Sequence, residues 1–235
     1  MKTKKNSSGE KKTQPRKVLV IDDHDVVRMG LMYLLNQEED FEVCGEAGDA
    51  RKGLNALEEL KPDIVLVDIS MRGMNGIEFI KSAKAYQARL PIVVLSIHDE
   101  WLYAERALRA GALGYVMKTA GSDEIITALR KALAGELHVS GRVNGVLLQR
   151  FLGGGGRTGN GSSIATLSDR ELEVFELIGH GKTTREIAGL LNLSVKTVDS
   201  HRMHIKDKLA IKTAPELVQR AVHYVESEIG QGGPG

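Results

Sequence analysis

Five side chains that can bind a metal ion or a phosphate group stand at the ends of apolar segments. Those segments are rich in Val, Ile and Leu, as is typical of strands buried on both faces of a parallel sheet. A carboxylate at the end of such a strand costs desolvation free energy unless a cation, water or a hydrogen-bond donor offsets it. The pattern therefore predicts a shared binding site at the strand ends. The five residues are Asp22, Asp23, Asp68, Ser96 and Lys118.

The mixture of charges in this set indicates its chemistry. Three carboxylates in one cleft repel one another unless a cation joins them, and oxygen ligands with no His or Cys nearby suit Mg2+. Lys118 and Ser96 in the same cleft indicate that an anion also binds. A metal ion, an anion clamp and a central carboxylate together predict phosphoryl transfer to an aspartate nucleophile, Asp68.

A strand-then-helix pattern, repeated about five times over residues 17–136, must position these side chains. Such alternation predicts an α/β domain with a five-stranded parallel sheet and helices on both faces. In a flavodoxin-like strand order the ligand site lies beyond the carboxyl ends of strands one and three, where the three aspartates would converge. The predicted strands are 17–22, 41–47, 63–68, 91–96 and 113–118.

A specific order of residues runs through this region, namely Asp22, Asp23, Asp68, Ser96, Tyr115 and Lys118, the last two within 111-GALGYVMK-118. It resembles the receiver domain of two-component response regulators over nearly all of 17–136. The resemblance implies that a sensor histidine kinase phosphorylates Asp68. It also implies a regulatory protein rather than a classical enzyme, although a receiver can catalyse its own phosphorylation and dephosphorylation.

The same resemblance implies a role for each of these residues. Lys118 would contact the phosphoryl oxygens, Ser96 would hydrogen-bond the phosphoryl group, and Tyr115 would swing inward as the switch aromatic. Physically, a new dianion pulls a hydroxyl group and repacks a bistable ring. The implied ligands of Mg2+ are three carboxylates and one backbone carbonyl, those of Asp22, Asp23, Asp68 and Ser70.

Two other classes of protein stay open on the residues alone. An aspartate-nucleophile phosphatase needs a second acid two residues after the nucleophile, where this chain has Ser70. A DNA-binding protein with a receiver that is regulated without phosphorylation is the other alternative. Turnover of phosphomonoesters tests the first class, and magnesium-dependent labelling of Asp68 tests the second.

Composition predicts a cytoplasmic protein without a membrane partner. The 235 residues carry a net charge of +1 and a single cysteine, Cys44, which excludes an internal disulfide and a cysteine-based zinc cluster and fits a reducing cytosol. No apolar run approaches the ~18 residues that span a bilayer. The first 17 residues have seven Lys or Arg against one Glu and no apolar segment, so we expect no signal peptide.

Shifts in composition divide the chain into modules. The glycine-rich stretch 153-GGGGRTGNGSS-163 cannot form a packed element and predicts a flexible linker. After it the strand pattern stops, and short helices with clear start signals follow. The predicted segments are a disordered basic tail at 1–16, the α/β domain at 17–136, a linker at 137–163, a small all-α domain at 164–226 and a disordered tail at 227–235.

Three capping boxes of the form S/T-x-x-E mark helix starts in the all-α domain, at Ser168, Thr183 and Thr213. Residues 183–213 have the form of a helix-turn-helix, with apolar residues inward on two helices joined by the turn 192-NLS-194. Residues 182–212 carry seven Lys or Arg against three acids, which suits phosphate contacts. From the spacing alone, a packing helix with a solvated polar face fits equally well.

The stretch from 167-LSDRELEVFELIGHGKTTREIAGLLNLSVKTVDSHRMHIKDKL-209 resembles the DNA-binding domain of the LuxR/NarL/FixJ family. The resemblance implies sequence-specific binding of double-stranded DNA and regulation of transcription, with the second helix in the major groove. Asp199, Ser200 and Met203 are placed to reach base edges, and Thr197 lies on the same open face. The predicted phosphate contacts are Lys182, Thr184, Ser194, Lys196, Arg202, Lys206 and Lys208.

The last predicted helix, 214–226, carries an apolar stripe. In the LuxR/NarL/FixJ family this helix is often a dimer contact, so the resemblance implies a homodimer when the protein is phosphorylated. Part of the stripe must also pack within the chain. The predicted dimerisation residues are Leu217, Val218, Ala221 and Val222.

Overall fold

The computed structural model describes residues 14–71, 73–97, 100–141, 143–145 and 164–231. Its first half contains five strands, each starting and ending within one residue of its predicted bounds. The predicted basic tail, apart from residues 14–16, and the glycine-rich stretch 153–163 lie outside the described residues. The strands are β1 (Arg16–Ile21), β2 (Phe41–Ala47), β3 (Ile64–Asp68), β4 (Ile92–Ser96) and β5 (Gly114–Met117).

All four strand pairings are parallel, in the order β2-β1-β3-β4-β5. Strand order reverses between β1 and β3, as the flavodoxin-like prediction requires, and the predicted fold is confirmed. In the register, Ile21 lies opposite Val67, and Asp68 lies opposite Leu95. The residues that follow β1, β3 and β4 therefore emerge side by side at one edge of the sheet.

Among the described residues, five helices cover the two faces of this sheet, and two of them begin at a side-chain cap. Asp49 accepts a hydrogen bond from the Lys52 N–H at 2.8 Å, and Asn75 accepts one from the Glu78 N–H at 2.8 Å. Within the described residues no helix is both long and apolar enough to cross a membrane. The helices are α1 (Asp25–Asn36), α2 (Ala50–Leu60), α3 (Gly76–Tyr86), α4 (Glu100–Ala110) and α5 (Ser122–Leu133).

Two apolar cores flank the sheet, because its central strands are buried on both faces. On one face, Leu31 and Leu35 of α1 and Leu129 of α5 pack against β1, β3 and β4. On the other face, α2, α3 and α4 pack with residues such as Phe79 and Tyr103. This second core continues without interruption into the helical domain described below.

The start of the predicted linker packs on the sheet. Residue His138 pairs with Gly114 at the edge of β5, its N–H donates to the Leu113 carbonyl at 2.9 Å, and its carbonyl accepts from the Tyr115 N–H at 2.9 Å. Val139 and Val143 are buried in the core. Residues 137–141 and 143–145 therefore belong structurally with the α/β domain rather than with a flexible linker.

The described part of the second domain contains a short 3-10 helix (Ile164–Thr166) followed by four α-helices. Ser168 and Thr183 form complete capping boxes with Glu171 and Glu186, because side chains and backbone N–H groups bond in both directions. At Thr213 the box is incomplete, since the Glu216 carboxylate accepts from the Lys212 N–H instead. The last helix runs to Gln231, so the predicted disordered tail is helical at 227–231. The helices are α6 (Asp169–Gly179), α7 (Thr184–Leu190), α8 (Val195–Lys208) and α9 (Ala214–Gln231).

Candidate functional site

Two buried carboxylates lie at the switch point of the sheet. Asp68 is the last residue of β3 and Asp22 follows β1, and each is 1% exposed. Asp23, beside Asp22, is half-buried. The strand order thus brings together the three carboxylates that sequence analysis predicted would converge.

Lys118 lies across this pair of acids. Its ammonium group is 2.7 Å from Asp22 Oδ2 and 2.8 Å from Asp68 Oδ2, and its side chain is largely buried. The backbone holds it there, because the Lys118 N–H donates to the Ser96 carbonyl at 2.7 Å. One cation therefore bridges the acids of two neighbouring strands.

Burial and the neighbouring opposite charge shift the pKa values of Asp68 and Lys118 in opposite directions. Burial raises the pKa of Asp68, and the charge of Asp22 adds to that rise, while Lys118 and the Ser70 N–H, 3.1 Å from Asp68 Oδ1, act against it. Burial alone would lower the pKa of Lys118, but the attraction of Asp68 and the hydrogen bonds to both acids raise it above its ordinary value. Lys118 therefore stays charged at neutral pH.

The donor set fits a hard divalent cation. Three carboxylates face one ammonium group, so the cluster keeps an excess of negative charge that a cation neutralises. His24 also belongs to the cluster: ligand atoms of Asp22, Asp23, His24 and Asp68 all lie within 4.8 Å of one another. The expectation of a site without a nearby histidine was therefore wrong. The signal was in the sequence, because His24 directly follows Asp23 in 21-IDDHD-25.

His24 orients the two acids that precede it. Its backbone N–H donates to Asp22 Oδ1 at 2.8 Å. Its ring Nδ1 lies 2.9 Å from Asp23 Oδ1 and 3.2 Å from Asp22 Oδ1. His24 is also the residue before α1, so the start of that helix fixes its backbone. The ring itself stays mostly exposed, at the mouth of the cluster.

The other residues of the predicted site lie on β4, on β5 and in the segment after β3. Ser96 ends β4 and Tyr115 lies in β5, and both are fully buried. Ser70 follows β3 by two residues and is half-buried, with its N–H directed at Asp68. The predicted role of the Ser70 carbonyl as a metal ligand stays a prediction.

In the second domain, α8 presents an open polar face. Val198, Ile205 and Leu209 are fully buried on its inner side, as predicted. Met203 on the outer side is 58% exposed. The residues predicted to reach base edges share that exposed side, and they are Asp199, Ser200 and Met203.

The predicted phosphate contacts surround the same face. Ser194 caps α8 by accepting from the Thr197 N–H at 3.0 Å, and the two hydroxyl groups are 2.7 Å apart. The Ser200 hydroxyl donates to the Lys196 carbonyl at 3.0 Å. Among the predicted residues the exposed ones are Lys182, Ser194, Lys196 and Lys208, and the half-buried ones are Thr184, Thr197, Arg202 and Lys206.

The stripe predicted for dimerisation divides into two faces. Leu217 and Ala221 are fully buried, in the core shared with Phe175 of α6. A residue without exposed surface cannot contact a second chain, so these two assignments were wrong. Val218 is 40% exposed and Val222 is half-buried, so these two residues keep surface for a partner.

Comparisons with known proteins cover both domains. The family model described as the response regulator receiver domain matches residues 18–130. The model described as bacterial regulatory proteins, luxR family, matches residues 165–221. The two matched regions coincide with the α/β and the helical domain, respectively.

Curated relatives match along most of the chain. The transcriptional regulatory protein LiaR of Bacillus subtilis (strain 168) is 40% identical over 209 residues, which cover 88% of this chain and 95% of LiaR. The oxygen regulatory protein NreC of Staphylococcus aureus (strain MRSA252) is 36% identical over 209 residues, covering 88% and 96%. Both matches therefore include the two domains and the segment between them.

Solved structures match in the same way. RcsB from Salmonella enterica serovar Typhimurium, bound to promoter rprA in the presence of the phosphomimetic BeF3−, is 29% identical with a TM-score of 0.61, covering 87% of this chain and 97% of that one. A further RcsB structure from Salmonella typhimurium, described in terms of conformational dynamism for DNA interaction, is 28% identical with a TM-score of 0.66, covering 92% and 98%.

Proposed function

The chain belongs to the NarL/FixJ family of two-component response regulators, with a LuxR-type DNA-binding domain, and on that premise we propose that Asp68 is its phosphoacceptor. The proposal rests on the position of Asp68. Its carboxylate is buried at the switch point of the sheet, and its Oδ2 lies 2.8 Å from Lys118 Nζ. A carboxylate held beside a fixed cation is oriented for attack on a phosphoryl group, whose charge the cation then stabilises.

The transfer has a simple balance of bonds. The donor is the phosphohistidine of a sensor kinase: its P–N bond breaks, a P–O bond forms to a carboxylate oxygen of Asp68, and the imidazole leaves. Lys118 shifts its contact from the Asp68 carboxylate to the phosphoryl oxygens. Ser96, at the end of the neighbouring strand, hydrogen-bonds the same group, and Tyr115 repacks behind it.

The proposed cofactor of this site is Mg2+. Its ligands would be carboxylate oxygens of Asp22, Asp23 and Asp68 and the Ser70 carbonyl. When bound, the ion neutralises charge on the acids and on the phosphoryl oxygens. Support comes from the excess of carboxylates over cations in the cluster, together with the burial of Asp22 and Asp68.

The proposed output of the protein is sequence-specific DNA binding through α8. Its exposed polar side carries Asp199 and Met203, which suit cytosine amino and thymine methyl groups, and Lys196, which suits a phosphate. The similar RcsB was solved on promoter DNA with a phosphomimetic present, which supports the same output here. We assign the protein to the cytoplasm, where kinase and DNA are both accessible.

Phosphorylation favours dimerisation, release of the DNA-binding domain, or both, so that two half-sites are occupied together. Within α9, Val218 and Val222 are the proposed dimer contacts, since they retain exposed surface. A dimer with two-fold symmetry binds two inverted half-sites about one helical turn apart.

Selection from a random DNA pool tests this function. The protein is incubated with acetyl phosphate and Mg2+, bound DNA is recovered and sequenced over several rounds, and Asp68→Asn is treated in parallel. The proposal predicts enrichment of a paired motif by the phosphorylated wild type and weaker enrichment by Asp68→Asn. Equal enrichment by both proteins would contradict regulation through Asp68.

A further inference from the structure

The loop after β1, which carries Asp22, is held in place by the side chain of Arg28 on α1. Three nitrogens of the guanidinium group donate to three different residues. Nη1 donates to the backbone carbonyl of Asp22 at 2.6 Å, Nη2 to Asp25 Oδ1 at 2.6 Å and Nε to Glu46 Oε2 at 3.0 Å. Since Asp25 begins α1 and Glu46 lies in β2, one side chain joins the loop to a helix and to a strand. We refer to Arg28, Asp25 and Glu46 as the arginine clamp.

The arginine of this clamp is enclosed, although its acidic partners are not. The Arg28 side chain is 13% exposed, whereas those of Asp25 and Glu46 are 84% and 45% exposed. Gly48 leaves room for the guanidinium group, because a Cβ there would lie 3.3 Å from Nη1, tighter than an ordinary van der Waals contact. Burial lowers the pKa of Arg28, but the hydrogen bonds to Asp25 and Glu46 outweigh burial and raise that pKa above its ordinary value. The group is therefore charged.

The three bonds of Arg28 differ in what they contribute. Ion pairs with exposed carboxylates such as Asp25 contribute little stability, because water and salt screen them. Asp22 is 1% exposed, so water cannot readily replace Arg28 as the donor to its carbonyl. A buried carbonyl that loses its donor is left unpaired at a cost in free energy. The two acids thus direct the guanidinium group, and the guanidinium group fixes the Asp22 carbonyl.

Asp22 is held through its backbone as well as through its side chain. Its N–H donates to the Ala47 carbonyl at 3.1 Å, and its carbonyl accepts from Arg28. Its Oδ1 accepts from the His24 N–H at 2.8 Å, and its Oδ2 lies 2.7 Å from Lys118 Nζ. With both backbone groups fixed, the direction of the Cα–Cβ bond is fixed too. The backbone contacts therefore direct the carboxylate into the acidic cluster.

We propose that Arg28 is a positioning residue for the metal site, and that its hydrogen bond to the Asp22 carbonyl holds the Asp22 carboxylate in place for a divalent cation. The inference rests on the proposed function, because it needs the acidic cluster to bind Mg2+. Removing a group that orients a metal ligand typically lowers metal affinity by about 10- to 100-fold. Arg28 therefore contributes to Mg2+ binding without being a ligand itself.

Binding of Mn2+ to the full-length, unphosphorylated protein tests this role. The electron paramagnetic resonance signal of free Mn2+ falls as the ion binds, and displacement by Mg2+ gives the affinity for Mg2+. Both ions suit oxygen ligands in octahedral geometry. Arg28→Met removes the donors and keeps a long unbranched side chain. Arg28→Lys keeps the charge but lacks the planar fork that reaches three acceptors.

Two control variants separate positioning from a general loss of stability. Arg130 of α5 also pairs with two acids, Glu38 at 2.7 Å and Asp40 at 2.8 Å, at the opposite edge of the sheet, where β2 begins. Arg130→Met therefore removes a comparable set of ion pairs away from the metal site. Asp22→Asn removes a proposed ligand and shows the affinity of a damaged site. Denaturant unfolding in EDTA measures the stability of each metal-free protein.

We expect Arg28→Met to bind Mn2+ and Mg2+ about tenfold more weakly than the wild type. Arg28→Lys should lie between these two proteins, and Arg130→Met should bind like the wild type. If Arg28→Met does not fold, Arg28→Lys decides the question in the same way, because weaker binding supports the inference and wild-type binding overturns it.

Wild-type affinity in Arg28→Met, whatever its stability in EDTA, would overturn the positioning role. Equal weakening in Arg130→Met would overturn it as well, because a general loss of stability would then be sufficient. Wild-type affinity in Arg28→Lys would assign the effect to charge instead of to the hydrogen bonds. Each of these results leaves the proposed function intact. A wild type that does not bind Mn2+, or that binds it no better than Asp22→Asn, would instead contradict the proposed metal site itself.

Discussion

Lys118 Nζ lies 2.8 Å from Asp68 Oδ2 and 2.7 Å from Asp22 Oδ2, so one buried ammonium group is paired with acids at the ends of two strands. Lys118→Met leaves both carboxylates without this partner. We expect the free energy of unfolding to fall by about 3 kcal/mol without Mg2+, as for other buried pairs that lose one member. Mg2+ should then raise the unfolding midpoint of the variant more than that of the wild type.

Denaturant unfolding with and without Mg2+ measures both effects. The double variant Asp68→Asn with Lys118→Met is the control, because it also removes one of the charges that Lys118 compensates, and it should recover part of the lost stability. A Lys118→Met protein as stable as the wild type in the absence of Mg2+ would show that the contacts of Lys118 with the two acids do not stabilise the fold.

Two substitutions on α8 should affect DNA binding in different ways. Lys196→Gln removes a phosphate contact, so it should weaken binding to all sequences alike and reduce the slope of log K against log salt by about one unit. Asp199→Asn exchanges one of the two acceptor oxygens for an NH2 donor and removes the charge, so it should change the sequence preference, at a cost of about 1–3 kcal/mol on the preferred site.

Fluorescence anisotropy titrations over a range of salt concentrations separate the two behaviours. Lys52→Gln on α2 has a comparably exposed side chain and serves as a control that should change neither quantity. If Asp199→Asn lowered affinity equally for preferred and scrambled sites, Asp199 would not read bases.

The first helix of the DNA-binding domain should lose stability at acidic pH. Burial opposes ionisation of Glu171, but the hydrogen bonds from Lys208 at 2.6 Å and from the Ser168 N–H hold its pKa below the ordinary 4.5. A depressed pKa contributes stability that is complete above 4.5 and is lost as pH falls through the lowered value. Glu171→Gln keeps the capping box and removes the charge.

Hydrogen exchange of the α6 amides, compared between wild type and Glu171→Gln at each pH, measures this contribution. Protection should differ at neutral pH, and the difference should shrink below 4.5. Glu186→Gln alters the exposed capping box of α7 and should show a smaller difference. If the difference in amide protection between wild type and Glu171→Gln stayed constant from pH 7 to pH 3, the ion pair between Glu171 and Lys208 would be excluded as its cause.

Substitutions at two neighbouring residues of α9 should distinguish an effect on dimerisation from an effect on folding stability. Val218, 40% exposed, is a proposed dimer contact, so Val218→Asp should abolish the phosphorylated dimer and leave the unfolding midpoint nearly unchanged. Leu217 is fully buried, so Leu217→Ala should destabilise the domain by about 2–5 kcal/mol. Sedimentation velocity and denaturant unfolding provide the two readouts. A Val218→Asp protein that still dimerises on phosphorylation would place the interface elsewhere.

Local signals in the sequence predicted the sheet and its ligand edge. Apolar runs mark strands buried on both faces, and parallel strands place their carboxyl ends together, so Asp22, Asp68 and Lys118 meet without further information. The helix starts at Ser168 and Thr183 were equally local, because a capping box depends on residues three apart.

Features that depend on a second surface were not predictable in this way. The acids of α6 follow helical spacing and resemble a solvated face, and only tertiary packing places Asp169 2.8 Å from both Lys81 and Arg106. Leu217 and Val218 are both apolar, and the sequence does not distinguish the face that α6 covers. His138 pairs with the sheet through backbone hydrogen bonds, and a pattern of side chains in the sequence does not predict such a pairing.

Intact mass measured after incubation with acetyl phosphate and Mg2+, for the wild type beside Asp68→Asn, tests the assignment of Asp68 most directly. We predict one phosphoryl adduct in the wild type, absent from Asp68→Asn and absent without Mg2+. No adduct under conditions that label a control receiver, or an adduct that persists in Asp68→Asn, would contradict the assignment of Asp68 as the phosphoacceptor.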